Sequence, residues 1–304
     1  MSTPSADEPI SNGVPTLGGR QFWGDVRFFS GWRIQRNVLT GHYRLLDADD
    51  RRHASGSRET CEQALKEQQR QRRLPAMSGR AVVLIHGIGR SSMCFSSMVR
   101  ELQNDDVMPV RFDYPSTRQP IPELADYLRQ VLVSLEGIDS IDFVCHSMGG
   151  LVLRSLLSQF DDSRLHRVVM LGVPNQGAEL ADFLKNNPVF RLILGPAGQQ
   201  LITDRNGLIM SLAVPPCEFG ILAGGRGGSR GYNPLLPEDN DSTVTVSSTR
   251  LPGATDFLRL PVIHAFLMSD PQAIEATRCF LRTGRFLPDR EPQRIPETEI
   301  HVLE

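Results

Sequence analysis

The feature that most constrains this 304-residue chain is the segment VCHSMGG at residues 144–150. Before it, residues 141–144 form a short apolar run typical of a buried strand. After it, residues 151–157 repeat apolar side chains at helical spacing. Small residues between a strand and a helix allow a turn so tight that the two elements pass close together. Such a turn lifts the Ser147 hydroxyl clear of the sheet and places the N–H of Met148 beside it, at the start of a helix.

The segment resembles the nucleophile elbow of the serine α/β-hydrolases, and in particular the HSMGG sequence of bacterial lipases and esterases. Gly149 is the small residue that this motif needs two positions after Ser147. Cys145 stands where the family usually has glycine, which is a departure from G-x-S-x-G. The resemblance implies an α/β-hydrolase fold, with a mostly parallel central sheet flanked by helices and a helical cap insertion. It also implies that Ser147 is the nucleophile.

A second motif, HGIG at residues 86–89, follows the clearest buried strand of the chain at residues 80–85. In lipase-like α/β-hydrolases an H-G-x-G loop in this place supplies one of the two backbone N–H groups that bind the oxyanion. The resemblance therefore assigns the oxyanion hole to the N–H groups of Ile88 and Met148. The alternative is a glycine-rich turn without chemistry. The position of both motifs at the C-terminal ends of predicted strands favours a site.

The candidate base and acid lie near the C-terminus. His264 follows the last predicted strand, at residues 255–260, where the resemblance places the general base. NDSTV at residues 240–244 matches the N-D-x-x-V pattern of the family and gives Asp241 as the acid, with serine where glycine is usual. Ser147, Asp241 and His264 then follow the family's chain order. Asp239 stays open as the acid, because sequence does not fix the register within a run of acids. A solvated acidic turn or a cation-binding loop also stays open.

Three residues are candidate substrate contacts. Tyr114 follows the predicted strand at residues 108–112, although an aromatic residue packed at a strand end fits equally well. The GVPNQG segment at residues 172–177 resembles the G-T-P-x-x-G loop that edges the acyl site of lipase-like hydrolases, which makes Asn175 and Gln176 candidates. The apolar pieces that follow, at residues 178–216, predict a helical cap whose apolar side roofs an acyl pocket. A purely structural insertion is the alternative.

The N-terminal part predicts two short strands, at residues 32–38 and 42–46, around a glycine turn, and then a helix capped by Ser57. We interpret it as a small hairpin-plus-helix appendage that docks on a protein partner or on the catalytic domain. The alternative is that it supplies the first antiparallel strands of the hydrolase sheet. The predicted division is a mobile tail at 1–20, the appendage at 21–78, the catalytic domain at 79–287 with its cap at about 178–216, and a C-terminal tail at 288–304.

Composition excludes several classes of protein. With 40% hydrophobic residues and a formal net charge of −2, the chain predicts a globular protein without a nucleic-acid or membrane-surface partner. The five cysteines are scattered and show no C-x-x-C spacing, which argues against a disulfide framework and a zinc site. The first residues lack the pattern of a secretory signal, and no apolar run reaches the ~18 residues of a membrane span. We therefore expect a cytoplasmic protein without metal or organic cofactor.

The predicted reaction is acyl transfer, most directly hydrolysis of a carboxylic ester. The substrate would be a small acyl ester or a lipid, the class implied by the resemblance and by the apolar cap. A thioesterase, an amidase or an acyltransferase would use the same residues. A non-catalytic α/β-hydrolase scaffold that binds a protein partner is the alternative from another class.

Overall fold

The computed structural model of the chain describes residues 13–16, 19–184, 187–204 and 206–298. The strands in chain order are β1 (Val14–Pro15), β2 (Trp23–Phe29), β3 (Trp32–Asn37), β4 (Tyr43–Leu46), β5 (Arg51–Gly56), β6 (Gly79–Ile85), β7 (Met108–Phe112), β8 (Ile138–His146), β9 (Leu165–Leu171), β10 (Glu218–Gly224) and β11 (Asp256–Leu260). The α-helices are α1 (Arg58–Arg72), α2 (Ser96–Leu102), α3 (Ile121–Ser134), α4 (Met148–Leu157), α5 (Glu179–Leu184), α6 (Pro188–Gln199), α7 (Leu208–Ser211) and α8 (Pro271–Thr283).

The central sheet has six parallel strands in the order β11-β10-β9-β8-β6-β7. Its strands are apolar along their length because helices cover both faces. In β6, Val83 packs in one cluster with residues of α3 and α4, and its neighbour Leu84 packs on the other face with residues of α2 and α8. The predicted α/β fold with a parallel sheet is confirmed. None of the helices in the described part of the chain combines the length and apolarity needed to cross a bilayer.

The N-terminal part forms a second sheet, antiparallel, in the order β1-β5-β4-β3-β2. The predicted hairpin corresponds to β3 and β4, while β2 and β5 extend it on both sides. Helix α1 packs on β3, β4 and β5, and α3 of the parallel domain packs on β2. The two sheets are separate, so this part does not supply the first strands of the hydrolase sheet. It is larger than a hairpin because β2 and β5 join it through short turns, and because β1 pairs with β5 from a segment distant in sequence.

Both predicted tails include residues held by backbone hydrogen bonds. Val14 and Pro15 pair with Arg52 and Arg51 of β5, so this piece of the predicted mobile tail is a strand. Residues 1–12, 17 and 18 lie outside the described residues. In the C-terminal tail Ile295 is buried, and its N–H donates to the carbonyl of Ala254 at 2.9 Å. Two-residue pairings of this kind carry no periodicity that a sequence pattern could show.

A buried charge cluster joins the two sheets. The guanidinium of Arg33 in β3 is 2.7 Å from the carboxylate of Asp113, which follows β7, and it also contacts Asp50 and Asp25. The backbones of Asp25 and Asp113 approach as well, since the Asp25 N–H donates to the Asp113 carbonyl at 2.8 Å. Burial raises the pKa of Asp25 to about 6. Burial acts in the same direction on Asp113, but the Arg33 guanidinium, His86 and two hydrogen bonds from Ser92 together outweigh it and hold that pKa well below its usual range.

We expect Arg33→Met to destabilise the protein by about 3–5 kcal/mol, because removal of the cation leaves the buried carboxylates of Asp25 and Asp113 without their ion-pair partner. Urea unfolding measures the change. The matched control is Arg36→Met, an exposed position on the same strand, which we expect to lie within about 0.5 kcal/mol of the wild type. Equal stability of the two variants would show that the cluster does not hold the N-terminal sheet in place.

Candidate active site

Ser147 lies at the tight turn between β8 and α4. Its backbone has φ 54° and ψ −130°, a left-handed conformation that is uncommon for a residue other than glycine and is typical of functional sites. A Cβ atom on Gly149 would lie 2.5 Å from the Ile85 carbonyl oxygen, so only glycine fits where the helix passes the end of β6. Cys145 is completely buried in the sheet. The strand, the turn and the helix predicted around Ser147 are all present.

The Ser147 hydroxyl contacts the imidazole of a residue that follows β11, the outermost strand on one side of the parallel sheet. His264 begins a short 3-10 turn after β11, and its Nε2 is 3.0 Å from the Ser147 Oγ. The backbone N–H of His264 donates to the carbonyl of Asp241 at 2.7 Å. Serine and histidine are each 7% exposed. Parallel strands deliver both residues to the same edge, because each follows the C-terminal end of its strand.

Asp241 completes the hydrogen-bonded chain. Its Oδ2 is 2.6 Å from the Nδ1 of His264, and its Oδ1 accepts from the N–H groups of Thr243 and Val244 at 2.9 and 2.8 Å. A carboxylate only accepts hydrogen bonds, so Nδ1 is the donor and Nε2 keeps the lone pair that faces Ser147. The carboxylate is therefore fixed by its own turn before it orients the imidazole.

Asp239, the alternative acid, faces a different loop. Its carboxylate accepts from the N–H groups of Arg226 and Gly227 at 2.7 and 2.8 Å. The structure thus brings Asp241 to His264, with Asp239 capping a turn nearby. Within the described ranges, no three or more His, Cys, Asp or Glu side chains are grouped so that they could hold a metal ion.

Two residues next to the hydrogen-bonded Asp241, His264 and Ser147 were not expected from the sequence. A Cβ atom on Gly172, which has φ 56°, would lie 3.0 Å from the Asp241 Oδ2 and 3.1 Å from the His264 Nδ1, so this glycine makes room for the pair. The Nε2 of His146 donates to the His264 carbonyl at 3.1 Å and holds the backbone of that residue. Burial, assisted by the nearby His264, keeps the pKa of His146 well below its usual range. Adjacency to Ser147 was the only signal for this role of His146.

A cavity of about 200 Å³ opens beside Ser147 and His264. Its walls are mostly apolar and come from the HGIG loop, the loop after β9, the cap and the turn after Asp241. The lining residues are Gly87, Ile88, Arg90, His146, Ser147, Pro174, Ala178, Leu180, Ala181, Leu194, Leu201, Thr243, Val244 and His264. In the part of the chain that is described, no hydrogen bond uses the N–H of Ile88 or that of Met148, the first residue of α4. Ile88 lines the cavity, and Met148 directly follows Ser147, which lines it too.

Tyr114 lies beneath the HGIG loop and does not line the cavity. It is 1% exposed, its ring stacks on the His86 ring with the centroids 4.3 Å apart, and its hydroxyl donates to the His86 carbonyl. Of the two interpretations of this residue, the packed aromatic at a strand end describes its position, and Tyr114 is not part of the cavity wall where a substrate contact was predicted. Its position indicates that it supports the loop that carries Ile88.

Asn175 and Gln176, the other two predicted substrate contacts, are not part of the cavity wall either. The Asn175 Nδ2 donates to the carbonyl of Thr249 at 2.8 Å, and the Gln176 Nε2 donates to that of Arg250 at 3.2 Å. Both side chains are used to satisfy the backbone of a neighbouring segment, while Pro174 of the same loop faces the cavity.

A buried arginine anchors the cap. Arg154 of α4 donates to the carbonyls of Ala213 and Leu212 at 2.9 Å, and to those of Ile209 and Asn175 at 3.2 Å. No carboxylate pairs with it among the described residues, and burial lowers its pKa to about 10. It ties α7 and the loop after β9 to the helix that starts at the turn of Ser147. Sequence patterns gave no sign of it, since an arginine in a helix is usually exposed.

A family model described as a domain of unknown function, DUF7379, matches residues 44–201, just over half of the chain. The chain belongs to the DUF7379 family. The matched part of this DUF7379 protein begins in β4 and ends after α6. It contains Ile88 and Ser147 but stops before Asp241 and His264.

Named relatives of the DUF7379 protein include the lysosomal thioesterase PPT2 of Homo sapiens, 28% identical over 138 residues that cover 40% of this chain and 46% of the relative. The enzymes of Mus musculus and Rattus norvegicus are 27% identical over the same length. The chain thus spans about half the length of the curated relatives it matches.

Solved structures show the fold. The mature lipase BlEst2 of Bacillus licheniformis has a TM-score of 0.53 at 23% identity, covering 69% of this chain and 93% of that one. The propeptide form of the same lipase has a TM-score of 0.55 at 20% identity, covering 71% and 52%. The chain therefore has the α/β-hydrolase-like fold of these lipase structures, and over part of its length its sequence is similar to that of the PPT2 thioesterase.

Proposed function

We propose that this protein is a serine hydrolase that cleaves carboxylic esters, with Ser147 as nucleophile, His264 as general base and Asp241 as the orienting acid. The observation that carries the proposal is the hydrogen-bonded chain from Asp241 through His264 to Ser147, with distances of 2.6 and 3.0 Å. Both distances lie within the reach needed for proton transfer. This series of hydrogen bonds ends at Ser147, in the strained turn after β8, beside an apolar cavity.

In the proposed reaction the Nε2 of His264 takes the hydroxyl proton of Ser147 as the oxygen attacks the carbonyl carbon. Asp241 keeps the imidazole in the correct tautomer and stabilises the imidazolium that forms. The N–H groups of Ile88 and Met148 bind the oxyanion of the tetrahedral intermediate. His264 then gives its proton to the departing alcohol oxygen, which leaves an ester between Ser147 and the acyl group. Water, deprotonated by His264, hydrolyses this intermediate and releases the acid.

The test of this proposal is labelling by a fluorophosphonate probe, followed by peptide mass spectrometry to locate the modified residue. An activated serine reacts with such a probe, whereas an ordinary serine hydroxyl does not. We expect the modification on the peptide that contains Ser147, in the folded protein and not after denaturation. Absence of labelling, or labelling of a different serine in an active preparation, would overturn the assignment.

The volume and the lining of the cavity indicate which length of acyl group to expect. Its volume of about 200 Å³ lies below the roughly 300–1,000 Å³ typical of sites for drug-sized ligands. The side chains that the cap contributes are apolar, among them Leu180, Ala181 and Leu201. These properties favour an acyl ester or lipid whose enclosed acyl group is short to medium in length.

We expect Leu201→Ala to move the preferred substrate toward longer acyl chains, because it removes apolar volume from the cavity wall. A series of p-nitrophenyl esters from acetyl to palmitoyl, compared by kcat/KM, measures the preference. The matched control is Leu212→Ala, a leucine of the same region with the same 7% exposure that does not line the cavity. An unchanged preference in Leu201→Ala, or the same shift in both variants, would contradict an acyl group bound under the cap.

Thioester hydrolysis is the second candidate, because the PPT2 relatives are named as thioesterases. The same three side chains would carry it out. An oxygen ester and a thioester with the same acyl group separate the two reactions, and a much higher kcat/KM for the thioester would favour this candidate. Failure of both substrates, together with no labelling of Ser147, would leave a scaffold that binds a protein partner.

A further inference from the structure

A guanidinium group lies in the wall of the cavity beside Ser147. Arg90 lines this cavity and is half-buried. Among the described residues that line the cavity, Arg90 is the one with a permanent charge. A cation contributes nothing to the binding of an acyl chain, and placing a charge against apolar walls costs free energy unless it meets a partner. The charge of Arg90 therefore requires a partner group other than the acyl chain.

The guanidinium of Arg90 has no structural task that the described residues show. No ion pair, hydrogen bond or ring contact in that part of the chain involves it, in contrast to Arg33 and Arg154, which are fully engaged. Its charge nevertheless acts on His146, which lines the same cavity. After burial and the proximity of His264, the field of Arg90 is a further cause that lowers the pKa of His146.

The backbone of Arg90 is held firmly, so the point from which its side chain leaves the main chain is fixed relative to Ile88. Its carbonyl accepts from the Nε2 of Gln21 at 2.6 Å, and its N–H donates to the Gly87 carbonyl at 3.3 Å. Ser116 links the loop further, because its Oγ accepts from the Gly89 N–H and donates to the Oε1 of Gln21, both at 3.0 Å.

The position of Arg90 indicates which part of a substrate it meets. Arg90 is partly exposed to solvent, whereas Ala181 and Leu201, which the cap contributes to the same cavity, are buried. The cation therefore lies toward the solvent opening of the cavity, and the apolar end lies under the cap. An ester that puts its acyl group at the apolar end has its leaving group near Arg90.

We propose that Arg90 binds an anionic group, a phosphate or a carboxylate, on the leaving-group portion of the substrate. A guanidinium matches both groups because its parallel N–H donors form bidentate hydrogen bonds to two oxygens. The substrate class is then an acyl ester or thioester whose alcohol or thiol portion is negatively charged. This inference rests on the proposed hydrolase function and adds the charge of the substrate to it.

The experiment compares three acyl esters with the same acyl group and related phenol leaving groups. The neutral ester is that of 4-hydroxybenzamide, and the anionic esters are those of 4-hydroxybenzoate and of 4-hydroxyphenyl phosphate. The readout is the ratio of kcat/KM for each anionic ester to that for the neutral ester, measured for the wild type and the variants. Differences in intrinsic reactivity between the phenols cancel when the ratios are compared across variants.

We expect Arg90→Gln to lower this ratio on the order of tenfold to a hundredfold, the range for hydrogen bonds between charged groups. Arg90→Lys should give an intermediate ratio, because a lysine keeps the charge and loses the bidentate geometry. The matched control is Arg100→Gln, an exposed arginine on α2 outside the cavity, which should keep the wild-type ratio. Of the two anionic esters, the one whose ratio falls more in Arg90→Gln carries the preferred group, phosphate or carboxylate.

Equal ratios in the wild type and Arg90→Gln, with all three esters hydrolysed, would overturn this inference and leave the proposed function standing. A drop of the same size in Arg100→Gln would also overturn it, because it would reflect the overall charge of the protein. If the wild type hydrolyses none of the esters and Ser147 takes no fluorophosphonate label, the proposed function fails and the inference fails with it.

Discussion

Replacement of Ser147 by alanine is expected to lower kcat for ester hydrolysis by about 10⁶-fold, the size of effect that follows loss of the nucleophile in serine hydrolases. The variant lacks the oxygen that attacks the carbonyl, so no acyl-enzyme forms. Residual catalysis of about 10³–10⁴ over water is expected from the remaining binding and oxyanion groups. Steady-state hydrolysis of a p-nitrophenyl ester at saturating concentration measures the loss, and a fluorophosphonate should label the wild type only.

The control for this prediction is Ser155→Ala, on the helix that starts at the same turn. Ser155 is buried but does not line the cavity, so we expect its variant to stay within a few-fold of the wild type. Thermal unfolding of both variants separates loss of chemistry from loss of fold. Hydrolysis in Ser147→Ala close to the wild-type rate, in a preparation free of contaminating esterase, would assign the nucleophile elsewhere.

Sequence was a good guide to the parallel domain because its elements are encoded locally. The buried strands are rich in apolar residues, and each is followed by a loop at the same edge of the sheet. That rule alone places Ser147, Asp241 and His264 near one another although they are distant in the chain. The structure adds the distances, which no pattern of residues provides.

The N-terminal sheet was harder to predict because its decisive contacts are not local. Arg33 alternates with apolar neighbours in β3, as a solvent-facing residue of a strand would, yet it is buried against Asp113 of the other domain. Pairing of Val14 with Arg52 likewise depends on segments far apart in sequence. Which residues a strand buries against another domain cannot be predicted from the sequence of that strand alone.

The acidic run shows why the register of the acid stayed open. Asp239 and Asp241 both follow a strand and both accept two backbone N–H groups, so local chemistry is the same for each. The fold separates them, because only Asp241 contacts His264. Ser242, directly after Asp241, occupies the position where the lipase-like pattern has glycine, and its backbone has φ 91°, which is unusual for a residue with a side chain.

Asp241→Asn is expected to lower kcat by about 10⁴-fold while leaving the fold intact. The asparagine Oδ1 can keep accepting from the N–H groups of Thr243 and Val244, which leaves its NH₂ group facing His264. A donor in that place favours the tautomer with its proton on Nε2, so the imidazole no longer offers a lone pair to Ser147. The loss should therefore fall on kcat for the same p-nitrophenyl ester, with little change in thermal stability.

Asp239→Asn is the matched comparison, because it makes the same chemical change two residues earlier. Its carboxylate holds the N–H groups of Arg226 and Gly227 and does not contact His264, so we expect a modest loss of stability and activity within a few-fold of the wild type. A greater loss of kcat in Asp239→Asn than in Asp241→Asn would reverse the assignment of the acid. Such a result would require the two loops to exchange places around His264, which the hydrogen bond of the His264 N–H to the Asp241 carbonyl at 2.7 Å opposes.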